Sequence, residues 1–337
     1  MTDRAELGAS PRPVRPASAR TLTAGTFLGR YGTLIALAAL LLFNIAVTPN
    51  FLQLQTLYVN LTQVSTIAIV AVGMTLVIAT GGIDLSVGAM MALAGALGPL
   101  IFLSDFGLAH PQIGLAAAIV FPILGAAIGG LFNGVLVSAF GIQPIVATLI
   151  LFISGRGIAQ VLTNGNLQTF NNPAFTFLGT GRVFGVPMQA LIALGLGLLA
   201  ASLVSRTVYG RYLRAIGGNA RAARLSGVPV RTVTIATYMI CAGLAGVAGL
   251  LVSAINSASD ANQTGQLMEL DAIAAAVVGG AALSGGRAPV LGALLGAVII
   301  QLVRYTLLAN GVPDALALVV KAAIIIGAVY IQQGRKE

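Results

Sequence analysis

Charged side chains are scarce in this chain. Only 8% of its 337 residues are Asp, Glu, Lys or Arg, whereas 57% are hydrophobic and the mean hydropathy is +0.96. Soluble domains carry about 25% charged residues, so this composition excludes a water-soluble globular protein. The sequence predicts an all-α integral membrane protein, and its 42 glycines agree, because small residues let membrane helices pack closely.

Other absences narrow the function. The one cysteine, Cys241, excludes an intrachain disulfide, and the one histidine, His110, leaves no cluster of metal ligands. No phosphate-binding loop of the form GxxxxGK[ST] occurs, and neither of the two lysines, Lys321 and Lys336, follows a glycine run. We therefore expect no catalytic site, metal or cofactor in this chain, which would serve as a conduit or a scaffold.

The basic residues are clustered. The net charge is +9, and 13 of the 18 basic side chains lie in three groups. The groups are Arg4, Arg12, Arg15, Arg20 and Arg30; Arg206, Arg211, Arg214, Arg221, Arg224 and Arg231; and Arg335 with Lys336. Because Arg and Lys are enriched in the cytoplasmic parts of membrane proteins, all three groups are predicted to be cytoplasmic. This explains the positive charge without a nucleic-acid partner.

We predict ten membrane-spanning segments, since a crossing takes about 20 apolar residues. They are residues 31–48, 59–80, 84–103, 113–136, 142–163, 187–205, 233–254, 270–284, 290–309 and 314–333. Ten crossings from a cytoplasmic N-terminus return the C-terminus to the cytoplasm, in agreement with the basic groups at both termini. Nine or eleven crossings would move at least one basic group outside.

The predicted organisation has two parts. Residues 1–30 are expected to be a disordered cytoplasmic tail, since they are polar and rich in Pro and Arg and lack a signal-peptide apolar core. Residues 31–333 are expected to form the membrane domain. In this topology residues 206–231 are a cytoplasmic loop, and residues 163–187 and 256–270 are polar external loops that could contact a partner.

Asp84 is a lone carboxylate within the apolar run from Met74 to Leu97. Gly81 and Gly82 precede it and would end one helix, which places Asp84 at the N-cap of the next helix at a cytoplasmic turn. The structural prediction is that its carboxylate accepts hydrogen bonds from the first backbone N–H groups of that helix. The alternatives are a role in gating, contact with a cytoplasmic partner, or proton coupling.

The loop 206–231 contains a predicted short amphipathic helix over residues 219–225. Asn219 would cap its start, Gly227 with Pro229 would stop it, and Arg221 and Arg224 would share a face. One interpretation is a basic loop that sets orientation and touches anionic lipid; the other is a docking helix for a soluble partner. The residues alone do not separate these two.

Several stretches in order resemble the permease subunits of bacterial ABC sugar importers of the ribose and galactofuranose type. The resemblance covers most of the chain, from about Leu40 to Tyr330. Its stretches are VGMTLVIATGGIDLSVGA (72–89), IQPIVATLILFISGRGIAQVLTNG (142–165), AIGGNARAARLSGV (215–228) and ELDAIAAAVVGGAALSGGR (269–287). The stretch DANQTGQLMELDAI (260–273) is more similar to the galactofuranose type.

The resemblance implies a ten-helix permease in the bacterial inner membrane that pairs with a second permease subunit, identical or related. It implies a cytoplasmic ATPase that carries the ATP and Mg, a periplasmic sugar-binding protein, and alternating access to the sugar path. It also favours the docking interpretation of the loop. The coupling residues that it implies are Gly217, Gly218, Asn219, Arg221, Ala222, Ala223, Arg224, Ser226 and Gly227.

Six polar side chains are candidates for the translocation path or its gate. They are Asp84, Asn133, Arg156, Asn164, Glu269 and Asp271. Their structural alternatives are an interhelical hydrogen bond for Asn133, bonds from Arg156 to carbonyls at a helix break near Gly155 and Gly157, and an N-cap role for Asp271 at the external start of the eighth span. The absence of tryptophan fits a permease that binds sugar weakly.

Two other functions remain open from the sequence. An ion-coupled secondary transporter of a small polar solute would need carboxylates inside the bundle, and few are expected there. A membrane scaffold without transport is the third possibility.

Overall fold

The computed structural model describes residues 24–333. Its contacts divide the chain into Met1–Gly32 and Thr33–Glu337, and the packing described below is that of the second unit. The described helices are α1 (Ala24–Val47), α2 (Leu54–Ala79), α3 (Val87–Phe102), α4 (Asp105–Ala109), α5 (Pro111–Ser138), α6 (Pro144–Leu162), α7 (Pro173–Thr180), α8 (Met188–Arg206), α9 (Val208–Gly218), α10 (Ala220–Leu225), α11 (Val230–Asn256), α12 (Met268–Val278), α13 (Val290–Ala309) and α14 (Asp314–Gln333). The described strands are β1 (Gln168–Thr169), β2 (Arg182–Val183), β3 (Val186–Pro187) and β4 (Ala258–Ser259).

The membrane character of the chain is confirmed by its helices. Within the described residues, six are long and apolar enough to cross a membrane: α2, α5, α6, α8, α11 and α13. One of the described helices lies in each of the ten predicted segments. Helix α1 begins at Ala24, so residues 24–30 of the predicted tail are helical; the rest of that tail, and Arg335 with Lys336, lie outside the described residues.

Helix α2 is the centre of the bundle. Its residues from Ser65 to Ala79 are all buried, as expected for a helix that is apolar on every side. Helices α8, α11, α12 and α13 pack around it, α11 also packs against α3 and α5, and α3 packs against α6. This arrangement leaves α2 and α11 shielded by other helices.

Glycines allow the close contact between α5 and α11. A Cβ atom at Gly130 would overlap the carbonyl of Tyr238, and one at Gly134 would overlap the backbone of Ile235. Because these two glycines are four residues apart, they lie on one face of α5 and let the two backbones approach. Their spacing serves static packing in this structure.

The two ends of the bundle differ in what they carry. Helices α9 and α10 form the end that we call the arginine end, and the ladders β1–β4 and β2–β3 form the strand end. At the arginine end, the Gly286 N–H donates to the Ala79 carbonyl at 2.9 Å, and Gly217 fits against both residues. This contact joins α9 to the end of α2.

The eighth predicted segment differs most from expectation, because α12 is only 11 residues long and begins inside the bundle. After Ser259 pairs with Gln168 at the strand end, the chain turns back among the helices, and Gly265 lies against Gly88 near the start of α3. Helix α12 then leads to Gly279, which packs against Gly292 towards the arginine end. We call residues 257–267 the re-entrant segment.

The predicted external loop 163–187 is folded rather than open. It contains α7 and the strands β1, β2 and β3. Asn172 caps α7 by accepting from the Phe175 N–H at 3.1 Å, and Phe175 packs against Phe102 and Phe170. Aromatic burial therefore fixes much of this segment on the bundle, which its polar composition did not indicate.

Candidate functional site

Helix α10 confirms the predicted short helix in the arginine-rich loop. Asn219 is extended, with a φ of −162°, and its side chain accepts from the Ala222 N–H at 3.0 Å. At the other end Gly227 adopts a left-handed φ of 82°, and its N–H donates to the Arg224 carbonyl at 3.0 Å. The cap and the stop are both where the sequence predicts them.

The nine predicted coupling residues divide by exposure. Ala223 is buried against Ile216, Val230 and Val233, and Gly217 is half-buried against the end of α2. The remaining seven are exposed: Gly218, Asn219, Arg221, Ala222, Arg224, Ser226 and Gly227. Leu225 is 85% exposed beside them. Helix α10 thus presents two arginines and one leucine outward while one alanine anchors it.

Helix α9 is tied to the membrane bundle by a half-buried tyrosine. The Tyr209 hydroxyl lies 2.9 Å from the Thr237 hydroxyl of α11, and Thr237 in turn donates to the Val233 carbonyl. Burial raises the pKa of Tyr209 to about 12, so the phenol stays neutral and donates to Thr237. This hydrogen bond connects α9 directly to α11.

A cavity of about 260 Å³ lies beneath α10. Arg224 and Ala220 of α10 line one side of it, and Thr80, Ser138 and Tyr238 line the others. The cavity lies between α10 and the turn that joins α2 to α3.

Asp84 forms a buried polar chain rather than the predicted helix cap. The N-cap of α3 is Ser86, and the Asp84 Oδ1 accepts from the Ser86 N–H at 2.9 Å and from its hydroxyl at 2.7 Å. The Asn133 amide of α5 donates to the Ser86 hydroxyl at 2.9 Å. The carboxylate lies two residues too early to reach the first turn of α3, which is why the N-cap prediction is wrong.

In the polar chain of Asp84, Ser86 and Asn133, two acceptor atoms have no hydrogen-bond partner among the described residues. They are the second carboxylate oxygen of Asp84 and the amide oxygen of Asn133, and both side chains are fully buried. Nearby, the Leu85 N–H donates to the Thr148 hydroxyl of α6 at 3.1 Å. The predicted interhelical hydrogen bond of Asn133 is confirmed, with Ser86 as the partner.

Arg156 holds the re-entrant segment against α6. One of its terminal nitrogens, Nη1, donates to the carbonyls of Ala261 and Asn262 at 2.9 and 3.0 Å. One turn further along α6, the Gln160 amide donates to the Asn262 side chain at 2.8 Å. The prediction that Arg156 bonds carbonyls at a break in its own helix is wrong, because α6 continues unbroken to Leu162.

The two acidic candidates of α12 are buried in its first turn. Glu269 and Asp271 follow the N-cap Leu267, so Asp271 is not the cap residue that the sequence predicts. Glu269 is 5% exposed, and its Oε2 has no hydrogen-bond partner among the described residues.

The structure brings the path candidates into two groups and leaves one aside. Asp84 and Asn133 meet through Ser86, whereas Arg156 holds the re-entrant segment and Glu269 follows that segment in the first turn of α12. Asn164 lies in the turn that ends α6, with an exposed side chain and a left-handed φ of 51°.

Sequence reasoning missed Ser86, Gln160 and Asn262 as members of these groups. Ser86 could have been found, because an Asp followed two residues later by Ser is a common turn pattern. Asn262 could not, since its partners lie about a hundred residues away in the chain.

The chain belongs to the family described as "Branched-chain amino acid transport system / permease component", which matches residues 57–329. It is therefore a permease component of a transport system rather than a catalyst, and its apolar helices make it a multi-pass protein of the inner membrane. The resemblance to ABC sugar importer permeases is confirmed by its relatives.

Three relatives illustrate the family. The chain is 41% identical over 311 residues to the galactofuranose transporter permease protein YtfT of Escherichia coli (strain K12), covering 90% of this chain and 89% of the relative. It is 40% identical over 310 residues to the ribose import permease protein RbsC of the same strain, covering 90% and 94%. It is 36% identical over 271 residues to the fructose import permease protein FruF of Bifidobacterium longum (strain NCC 2705), covering 79% and 74%. No solved structure matches the chain.

Proposed function

We propose that this chain is the transmembrane subunit of an ATP-driven, binding-protein-dependent importer of a furanose or pentose-like monosaccharide. The carrying observation is that relatives named for galactofuranose, ribose and fructose are 36–41% identical over most of the chain.

The proposed topology has ten crossings with both termini in the cytoplasm. The arginine end is then cytoplasmic and the strand end periplasmic, as the concentration of basic residues in α9 and α10 favours. The re-entrant segment and α12 together make the eighth crossing. A protease that is added from the cytoplasmic side should cut at α9–α10, and one from the other side should not.

The proposed ATPase contact is α10, because this helix is capped at its start, anchored by Ala223 and exposed on its remaining faces. ATP and Mg are held by that ATPase subunit. The sugar-binding protein would dock at the strand end, and a second permease subunit, identical or related, would complete the path.

The mechanism follows from the way α10 is connected. Closure of the ATPase pair would push α10 towards the cavity beneath it, and Tyr209 and Gly217 would transmit the movement to α11 and α2. The two permeases would then exchange outward-facing and inward-facing states. The polar chain of Asp84, Ser86 and Asn133 joins α5 to the start of α3, both of which pack on α11, and would act as part of the inner gate.

Ion coupling is the second candidate, and one observation favours it. The sequence predicts few carboxylates inside the bundle, yet Asp84, Glu269 and Asp271 are all at most 9% exposed. Buried carboxylates inside membrane proteins frequently carry protons or ions.

The deciding experiment is uptake into proteoliposomes that contain the permease, its ATPase and its binding protein. Ribose, galactose in equilibrium with its furanose form, fructose and leucine are offered in turn. We expect uptake of one of the sugars that requires internal ATP and persists with a proton uncoupler. Uptake that an uncoupler abolishes while ATP is maintained would favour ion coupling, and uptake of leucine alone would refute a sugar importer.

A further inference from the structure

The re-entrant segment carries exposed polar groups at a depth where lipid cannot accept them. Helix α12 has 11 residues and rises about 17 Å at 1.5 Å per residue, so its start lies about half-way through a hydrocarbon layer of about 30 Å. Gln266 stands two residues before this start, next to Gly265, which packs on Gly88.

Non-helical backbone at such a depth is tolerated only when it is buried in protein or lines a water-filled cavity. One side of the re-entrant segment is buried, since Ala261, Thr264 and Gly265 pack against α3 and α6. The other side is exposed at Asn262, Gln263 and Gln266. The exposed side must therefore face the translocation path or the second permease rather than the lipid.

The three exposed side chains differ in whether they already make hydrogen bonds. The Asn262 side chain is occupied, because it accepts from Gln160 at 2.8 Å and donates to the Gly165 carbonyl at 3.4 Å. Within the described residues, the side chains of Gln263 and Gln266 make no hydrogen bond. Each offers one amide oxygen and two N–H groups to a ligand.

The chemistry of this surface discriminates between ligand classes. The charged groups near this surface are already engaged or buried: Arg156 donates to the Ala261 and Asn262 carbonyls, the Asp260 carboxylate accepts from the Asn262 N–H at 2.8 Å, and Glu269 is buried. Among the described residues of the segment, the exposed polar groups without a hydrogen bond are the neutral amides of Gln263 and Gln266. A free amino acid would require charged partners for its carboxylate and ammonium groups, whereas neutral amides match the hydroxyl groups of a sugar.

We propose that Gln263 and Gln266 line the path and hydrogen-bond the sugar hydroxyls during passage, on a surface that the second permease completes. Arg156, Gln160 and Asn262 act as positioning residues that hold the segment in place. The proposal rests on the proposed function, because it takes the transported solute to be a sugar.

The first test locates Gln266 by cysteine labelling. The native Cys241 is buried, so we expect little labelling of the wild-type chain by a membrane-impermeant methanethiosulfonate reagent. A thiolate attacks such a reagent, forms a mixed disulfide with it and releases methanesulfinate, and thiolates form in water and not in lipid. We compare Gln266→Cys with Asn166→Cys in an exposed turn at the strand end and with Leu199→Cys, an exposed apolar position of α8.

In the assembled transporter, we expect Gln266→Cys to react within about tenfold of the rate of Asn166→Cys, and Leu199→Cys to stay unlabelled. A Gln266→Cys variant that is as inert as Leu199→Cys would overturn the proposal. The wild-type complex is assayed for sugar uptake in parallel: if it takes up no sugar, the proposed function fails, whereas sugar uptake with an inert Gln266→Cys refutes only the path assignment.

The second test measures sugar contact. Gln266→Ala should lower sugar uptake about threefold to tenfold and change the ratio between ribose and fructose uptake, while the ATPase rate stimulated by the loaded binding protein stays constant. Leu199→Ala, at the exposed apolar position of α8, is the control and should leave uptake unchanged. Unchanged uptake in Gln266→Ala, or equal losses of uptake and ATPase rate, would show that Gln266 does not contact the sugar.

Discussion

The turn at α9–α10 and the re-entrant segment are built in opposite ways. The turn is defined locally: Asn219 caps a helix that begins at the next residue, and Gly227 stops it eight residues after the cap. The re-entrant segment is defined by distant partners, since Ala261 and Asn262 are held by Arg156, and Gly265 by Gly88. Local damage should therefore affect docking, whereas damage to the segment should affect the fold.

The largest expected effect is that of Gly265→Ala. Gly265 has a φ of 69°, and a Cβ there would overlap the Gly88 carbonyl at the contact between the segment and α3. We expect most of the folded protein to be lost, measured as the monodisperse fraction in detergent by fluorescence-detected size exclusion.

The control for this variant is Gly165→Ala. Gly165 has nearly the same φ, 68°, but open space where its Cβ would lie. It should lose only about 1–2 kcal/mol from the left-handed backbone. Equal yields of the two variants would contradict the close packing of Gly265 on Gly88.

A smaller effect is expected from Arg156→Gln. The guanidinium makes two hydrogen bonds to carbonyls of the segment, and bonds from a charged donor contribute about 1.5–3 kcal/mol each. We expect a lower melting temperature in detergent and at least tenfold less sugar uptake. Arg156→Lys keeps the charge but loses the planar fork, so it should lie between Arg156→Gln and the wild type; a wild-type melting temperature for Arg156→Gln would show that the clamp is not needed.

The smallest effect is expected at the local turn, with Asn219→Ala. Loss of the cap bond to the Ala222 N–H should destabilise α10 by about 1 kcal/mol and weaken ATPase binding several-fold, while the melting temperature of the membrane bundle stays constant. Binding is measured by biolayer interferometry with the purified ATPase. Asn219→Asp, which can still cap, should bind like the wild type; if Asn219→Asp and Asn219→Ala weaken binding equally, the side chain acts by contact and not by capping.

The same contrast explains what could be predicted from the sequence. Helices occupy the ten apolar segments because hydrophobicity over about 20 residues is a local property, and α10 was found because its cap and stop are adjacent in the chain. The Asp84 prediction failed by two residues, since several polar residues near a helix start compete to be its cap.

It could not be predicted from the sequence that α12 has only about half the length of a membrane crossing. The apolar run 270–284 indicates a span, but the depth at which it begins depends on the contact between Gly88 and Gly265, which are far apart in the chain. The burial of Glu269 follows from that depth, so its place inside the bundle was also hidden from sequence reasoning.

The most direct test of an importer that is driven through α10 is recovery of the ATPase with the purified permease. Arg221→Glu with Arg224→Glu reverses two exposed charges on α10, and Arg206→Glu with Arg211→Glu reverses two exposed charges of the same loop outside it. Mass spectrometry of the tagged permease should recover the ATPase with the wild type and with the second pair, and lose it with the first. Equal recovery with both pairs would contradict docking at α10, and an absence of ATPase from the wild type, with crosslinking included, would contradict an ATP-driven importer.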